Sequence, residues 1–552
     1  MKLKKEDKKE VYPNKNFSNK NKIVYLEEHC FDERKDETLP EDYHRGDITS
    51  SNRMLAYSDA VTATCATFLV IPIRNLKKLS VEQSLSDFVS ATYHELIEFF
   101  LGFLIVLTVW ENTNIRAIVV KRVDDFVLSL IIFELLATTI LPFSLALQGH
   151  YPHEKVTVFT TCIILGTLQI IDIGIVLYAT HSPNLLNTAL KNWKKTDLKE
   201  LLLVMVIRPL ISLLLLAIAG AFCLVHYGLS WAFIALLIFM PTIRKLYWFI
   251  CRRIKKFNKT EKDIFLECYA KGNISKERVE VMSDAAIAII ACILVLDITV
   301  DDFPEPDSVI EHGLNYELKH MIPKFLAFLA TFCLVSALWY INHAVLHLFK
   351  TVNSILLYFQ KIFLSFSCLC PLAGNMLLRF AAKGNYDSII AIRFAATIVF
   401  VSSLVNFFIF LYGMLTGAKY FHKWASVTHY KKNKRQHLYS FTKSLNIPFW
   451  SLVCIFGSLG PSTSAPYVLC ITFIAAPCSF FFSKVVLMNQ VGVTASYFKK
   501  TCLRRMLFTK KKVVESTNPN KDLRRNAFSQ PNRYVTEHDL SSVIENNIVC
   551  NF

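Results

Sequence analysis

Apolar runs of about eighteen or more residues recur along this chain, separated by short polar or charged stretches. Each run is long enough to cross the roughly 30 Å hydrocarbon core of a bilayer as an α-helix. Strands crossing a bilayer would instead alternate apolar and polar residues over about ten positions, and the runs do not alternate. The pattern predicts twelve spans, at about 53–73, 92–112, 126–147, 156–179, 200–225, 229–250, 278–299, 322–346, 352–376, 388–415, 445–460 and 465–487. The eleventh is the weakest, interrupted by Asn446, Pro448 and Gly457. The expected fold is therefore all-α and polytopic.

Composition agrees: 53% of the 552 residues are hydrophobic, only 19% are charged, and mean hydropathy is +0.36. Residues 1–50 are polar and charged without an apolar centre, so they read as a cytosolic tail and not as a signal peptide. The net charge of +17 does not imply nucleic acid, because the basic residues gather in the tails and in alternate loops. Such clusters are Arg116, Lys121 and Arg122, then Lys191, Lys194 and Lys195, then Arg252 to Lys262, Lys431 to Arg435, and Lys510 to Lys512. An even number of spans puts these clusters and both termini on the cytosolic side. The stretch 301–317, rich in Asp and Glu, falls opposite. The sequons at Asn16, Asn258 and Asn273 fall on the cytosolic side and are expected to carry no glycan. The fifteen cysteines are mostly isolated within apolar runs, without zinc-like spacing.

The chain repeats itself. Arg53, Ser58, Asp59 and Ala60 recur as Arg278, Ser283, Asp284 and Ala285, 225 positions later. The match continues through Ala63/Ala288, Ala66/Ala291 and Ile73/Ile298. Trp110/Trp339 and Pro142/Pro371 then share an offset of 229, as an inserted loop would produce. Pro209 with Pro448 and Pro241 with Pro477 are further candidate pairs. The expected organisation is a tail over 1–52, a six-helix repeat over 53–251, a linker over 252–277, a second six-helix repeat over 278–490 and a basic tail over 491–552. Both repeats start on the same side, so they are parallel.

Helical positions advance by about 100° per residue. Ala60, Thr67 and Ile71 thus lie within about 60° of Thr64, with Ser58 and Asp59 on the other side. Ala285, Ile289, Cys292 and Leu296 group in the same way, opposite Ser283 and Asp284. A carboxylate near a membrane helix end needs partners. Arg53, Ser58, Asp59 and their second copies are expected to hydrogen-bond neighbouring helices, with the indoles of Trp110 and Trp339 as candidate donors.

Arg-x-x-x-aromatic-Ser-Asp on the first helix of a six-helix unit resembles the signature of the transmembrane protein 175 family of endosomal and lysosomal potassium channels. The resemblance extends to Ser275-Lys-Glu-Arg-Val-Glu, to Ser283-Asp284, to Pro304 and to Trp339 with His343. It covers about residues 50–490. It implies a homodimer whose four first helices line a pore, an isoleucine constriction with a threonine one turn deeper, and a Ser-Asp motif holding the pore helix in place. Carried over, the constriction residues are Thr64 and Ile289 and the deeper pair is Thr67 and Cys292. The supports are Arg53, Tyr57, Ser58 and Asp59, with Arg278, Met282, Ser283 and Asp284. Two departures stand out. Met282 replaces the motif aromatic, and Thr64 replaces an isoleucine, so two hydroxyls would wet the constriction.

Other spans hold Glu134, Asp172 and Arg208 at similar depth, read as a structural charge cluster inside the first half. Glu95 and Glu98 read as a solvated helix end or as a cation-attracting mouth. His343 and His347 share a helix face near Trp339, and packing there is the simpler reading than metal binding. There is no phosphate loop, nucleophile elbow or zinc helix, and no carbonyl filter of the TVGYG type. No enzyme activity, cofactor, metal or nucleic acid is therefore expected. The function read from the chain is a potassium leak channel of endosomes or lysosomes. A proton channel of the same architecture and a twelve-helix secondary transporter are the alternatives. The partners expected are potassium ions or protons, the bilayer and a second copy of the chain; no cytosolic regulator is identifiable.

Overall fold

A computed structural model describes residues 49–488 except 75–84, 188–189, 191–192, 255–264, 267–268, 270–271, 273, 302, 305, 381–385, 418–419, 423–424, 426–429 and 462. Both predicted tails, the centre of the linker and the asparagines of all three sequons lie outside the described residues.

The order is β1 (Thr49–Ser50), α1 (Asn52–Phe68), α2 (Leu85–Val119), β2 (Arg122–Val123), α3 (Asp125–His150), α4 (Lys155–His181), α5 (Lys195–Phe222) and α6 (Tyr227–Ile254). Then follow β3 (Ile274–Ser275), α7 (Lys276–Leu296), α8 (Leu314–Leu346), β4 (Thr351–Val352), α9 (Ser354–Cys368), α10 (Cys370–Phe380), α11 (Tyr386–Thr416), α12 (Tyr430–Gly457) and α13 (Ala465–Met488). The chain is an all-α, polytopic membrane protein. Among the described residues, ten helical segments are long and apolar enough to cross a bilayer. The sixth predicted span is a shorter apolar stretch, Tyr227–Thr242. The eleventh is the C-terminal part of α12, whose first turns carry Lys431, Lys432, Lys434 and Arg435. The ninth span is two helices, because Pro371 lacks an N–H and disfavours helical backbone at the residue before it.

The same local constructions occur in both halves. β1 pairs antiparallel with β2, and β3 with β4, each pair tying the start of a first helix to the chain after a second helix. Asp124 caps α3 by accepting from the Val127 N–H at 2.9 Å, and Asn353 caps α9 by accepting from Leu356 at 2.9 Å. Val120 bridges to Leu186, and Phe349 to Phe421. One hydrophobic cluster runs through both halves and includes Ala63, Ala66 and Phe103 of the first with Ala286, Ile290, Leu338 and Phe363 of the second. Lipid provides little drive to push helices together, so small residues that let backbones approach matter at such contacts. α3 meanwhile turns Phe133, Leu136 and Phe143 outward, as a lipid-facing helix does.

Candidate functional site

α1 divides lengthwise. Tyr57 (61% exposed), Ala60, Thr64 and Phe68 form an open row at i, i+3 and i+4 spacing. Ser58, Asp59, Thr62, Ala63, Ala66 and Thr67 form the packed side. The Thr64 hydroxyl donates to the Ala60 carbonyl at 2.9 Å. Thr67 departs from expectation: it is fully buried, and its hydroxyl donates back to Ala63 and Thr64 carbonyls at 3.0 Å. The open row advances in steps of four, so Phe68 and not Thr67 continues it.

α7 exposes Val281, Asp284, Ala288 and Cys292 and buries Arg278, Met282, Ser283, Ala286 and Ile290. Ile289 is half-buried, packed against the core. Asp284 was expected on the inner side, and it is exposed instead. The open face of α7 is thus turned by one residue relative to that of α1.

The two Asp residues use matching indoles. Trp110 Nε1 donates to Asp59 Oδ1 at 2.7 Å, and Trp339 Nε1 donates to Asp284 Oδ1 at 2.7 Å. His343 stacks on Trp339 with ring centroids 5.5 Å apart. Arg278 reaches across the halves, with Nη2 3.1 Å from each Asp59 oxygen and Nε donating to Asn114 Oδ1 at 3.1 Å. The corresponding pair is open. Arg53 is exposed, and its side chain makes no hydrogen bond or ion pair among the described residues.

Behind α1 the first half holds a buried charge quartet. Arg116 donates to Glu134 Oε2 at 2.7 Å and to Asp172 Oδ1 at 2.5 Å, and Arg208 donates to Asp172 Oδ2 at 3.0 Å. Two cations and two carboxylates balance. Glu134, Asp172 and Arg208 meet as a structural cluster, through a residue the sequence reading had assigned to a cytosolic loop. Arg116 lies inside α2 and is only 6% exposed. Behind α7 the corresponding network is neutral. Gln360 Nε2 donates to Ser283 Oγ at 2.5 Å and to Asn342 Oδ1 at 3.0 Å, and Asn342 Nδ2 donates to Asn406 Oδ1 at 2.7 Å. Between the halves, Lys361 Nζ lies 2.8 Å from Glu111 Oε2, and both are buried. The sequence reading passed over Asn342, Gln360, Asn406, Glu111 and Lys361, although a polar side chain inside an apolar run is itself a signal.

At the strand end, the second half carries histidines where the first carries Ile118 and Asn187. His422 N–H donates to the Leu348 carbonyl at 3.0 Å, as Asn187 N–H donates to Val119 at 2.9 Å. Burial and the Lys276 ammonium hold His347 and His422 below the ordinary histidine range. The unfolded chain therefore takes up these protons first, and stability falls as pH drops below about 6.5. The thermal midpoint of purified protein is expected to fall between neutral pH and pH of about 5.5. The His347→Ile/His422→Asn double variant should flatten that fall; an unchanged slope would assign it elsewhere.

The family model described as "Endosomal/lysosomal potassium channel TMEM175" matches the chain twice, over residues 53–142 and 278–371. The "Endosomal/lysosomal proton channel TMEM175" of Danio rerio is 28% identical over 403 residues, 71% of this chain and 75% of that protein. The Homo sapiens protein of the same description is 27% identical over 445 residues, 78% of this chain and 85% of that protein. The crystal structure of a lysosomal potassium-selective channel TMEM175 homolog from Chamaesiphon minutus shares 21% identity, covers 38% of this chain and 97% of that one, and gives a TM-score of 0.30.

Proposed function

This chain belongs to the TMEM175 family, whose members are ion channels and not enzymes, and we propose that it forms a potassium-permeable leak pathway in endosomal and lysosomal membranes. Two copies associate so that α1 and α7 of each surround one axis. Both termini face the cytosol, and the repeats span 53–251 and 278–490. The observation that carries this reading is the half-used ion pair. Arg278 grips Asp59 inside the chain, while Arg53 and Asp284, the same two residues of the other pairing, stand exposed. A second copy supplies Arg53 to Asp284 and closes the ring of four first helices.

In that ring Thr64 and Ile289 form the constriction, with Cys292 one turn deeper on α7. Two threonines among the four constriction residues let water remain where four isoleucines would expel it. The result is a pore less selective among small cations. The transporter reading gives way, because the family is one of channels. Proton conduction stays as the second reading, favoured by the printed names of the curated relatives.

Whole-organelle patch recording tests the proposal, with potassium on one side and sodium or a proton gradient on the other. The expected current reverses near the potassium potential and is altered by Ile289→Asn. Thr64→Ile is expected to raise the potassium-to-sodium permeability ratio severalfold. Reversal that follows the pH gradient would select proton conduction. No current from protein shown to reach the membrane would overturn both readings, and a ratio untouched by Thr64→Ile would remove the role given to Thr64.

A further inference from the structure

At the end of the bundle away from the strand pairs, Leu69, Pro72 and Ile73 just after α1, Glu95, Glu98 and Phe99 of α2 and the last two turns of α3 line a half-open cavity of about 280 Å³. Its walls are largely apolar and include Ile73, Phe99, Phe143 and Leu147. Glu98 of α2 also lines it, with Glu95, His150 and Tyr151 nearer the opening. The Glu98 side chain is only 3% exposed, and its Oε2 is wholly buried with no hydrogen-bond partner among the described residues. The sequence reading of a solvated helix end therefore fails for Glu98.

Its surroundings sharpen the problem. Gly149 packs so closely that a Cβ there would lie 3.1 Å from Glu98 Cβ and 3.2 Å from its Cγ, which pins the acid against the C-terminal turn of α3. A helix C-terminus carries partial negative charge. The neighbouring Gln148 Oε1 is another buried acceptor without a partner. His150 does not serve Glu98: it is half exposed and lies 2.8 Å from Glu95 Oε1. A buried carboxylate without a counter-charge is costly and is relieved either by a proton or by a cation, so a cation entering this cavity would meet an acid that no other charge has claimed.

The chemistry of the walls selects the kind. Among the described residues no group of three His, Cys, Asp or Glu could hold a metal ion. Hard metal cations need several oxygen ligands, and most of this lining is hydrocarbon. An organic ammonium suits both parts, its head on the carboxylate and its body against apolar and aromatic walls. The volume sits at the small end of the ~300–1,000 Å³ typical of ligand pockets.

We propose that this cavity is a binding site for small lipophilic ammonium ions, with the cationic head on Glu98 and the apolar body against Ile73, Phe99 and Phe143. The site does not depend on which ion the channel conducts. Because Leu69, Pro72 and Ile73, directly after α1, form one wall, an occupant bears on the end of a proposed pore helix.

The test uses purified full-length protein and benzylamine, cationic at neutral pH, against its neutral isostere benzyl alcohol, read by the shift in thermal midpoint. Benzylamine is expected to stabilise the protein saturably and to bind about tenfold or more tighter than the alcohol, as a charge-assisted contact should. Glu98→Gln should erase that preference. Ala146→Leu, which fills the cavity without touching the acid, should weaken both ligands, and it serves as the readout if Glu98→Gln does not fold. Equal shifts by amine and alcohol, or a preference that survives Glu98→Gln, would overturn the proposal. So would shifts unaffected by Ala146→Leu, or no shift with benzylamine.

Discussion

Replacing Arg278 by leucine is expected to destabilise the folded chain by about 3–5 kcal/mol, the usual cost of leaving one member of a buried ion pair behind. Asp59 has no exposed surface, and the change would remove the guanidinium 3.1 Å from its carboxylate while the Trp110 indole stays in place. A neutral N–H such as that indole's offsets only part of the penalty of holding a carboxylate in a low-dielectric interior. Arg53→Leu is the matched control, since Arg53 occupies the equivalent position on α1 but lies on the surface of one chain. It should barely move the thermal midpoint of dispersed monomer and should weaken association of two copies. Exchanging charges in Arg53→Asp/Asp284→Arg should then restore association that either single change removes. Thermal melts and cross-linking in detergent give the two readouts. Equal destabilisation by Arg278→Leu and Arg53→Leu in the monomer would contradict the division of roles.

Arg116→Met is the second change with a large expected effect. The quartet would pass from balanced to a net negative charge inside α2, α3 and α4, again at about 3–5 kcal/mol. The arrangement makes a sharper prediction about pairs. Arg116→Met with Glu134→Leu removes one cation and one anion and leaves the Asp172–Arg208 bridge at 3.0 Å intact. That double variant should recover most of the loss, because neutral, well-packed replacements of buried ion pairs are often tolerated. Asp172→Asn separates structure from ion relay. The structural role predicts a lower thermal midpoint and lower yield, with unaltered conductance in the channels that fold. Normal stability with lost conductance would instead make Asp172 part of an ion path.

The spans and the two copies of the motif were readable because the bilayer leaves little freedom. Every backbone group must be bonded within a helix and nearly every outward residue must be apolar, so the sequence of a span announces itself. What spacing does not contain is rotation and partnership. One residue is about 100° of helix, and that single step separates a pore-facing Thr67 from the buried one, and an inward Asp284 from the exposed one. Arg278 lies 219 residues from Asp59, and no local pattern marks that reach. Arg116 misled for a related reason. A basic residue near a span end usually signals the cytosolic loop, but here two carboxylates on other helices draw it inside. Glu134, Asp172 and Arg208 were recognisable as a cluster from their shared depth, whereas the neutral network of Asn342, Gln360 and Asn406 lacked charge to draw attention. The sixth and eleventh spans show the same limit, since their apolar stretches are short and packing has to supply the rest.

The two-residue strand pairs make each first helix a lever with a fixed end. β1 and β3 clamp the starts of α1 and α7 to the chain that follows α2 and α8, while the residues just past the far end of α1, Leu69, Pro72 and Ile73, line the cavity beside Glu98. α1 has 17 residues and so is about 25 Å long. A swing of about 5° about the clamp carries the far tip roughly 2 Å and Thr64 roughly 1.6 Å, by the rise of about 1.5 Å per residue. A shift of that size at several walls of a narrow passage alters its width by more than the radius of a water molecule. Small displacements at the distant tip are in this way geared to the proposed constriction at Thr64, with the strand clasps as the fulcrum.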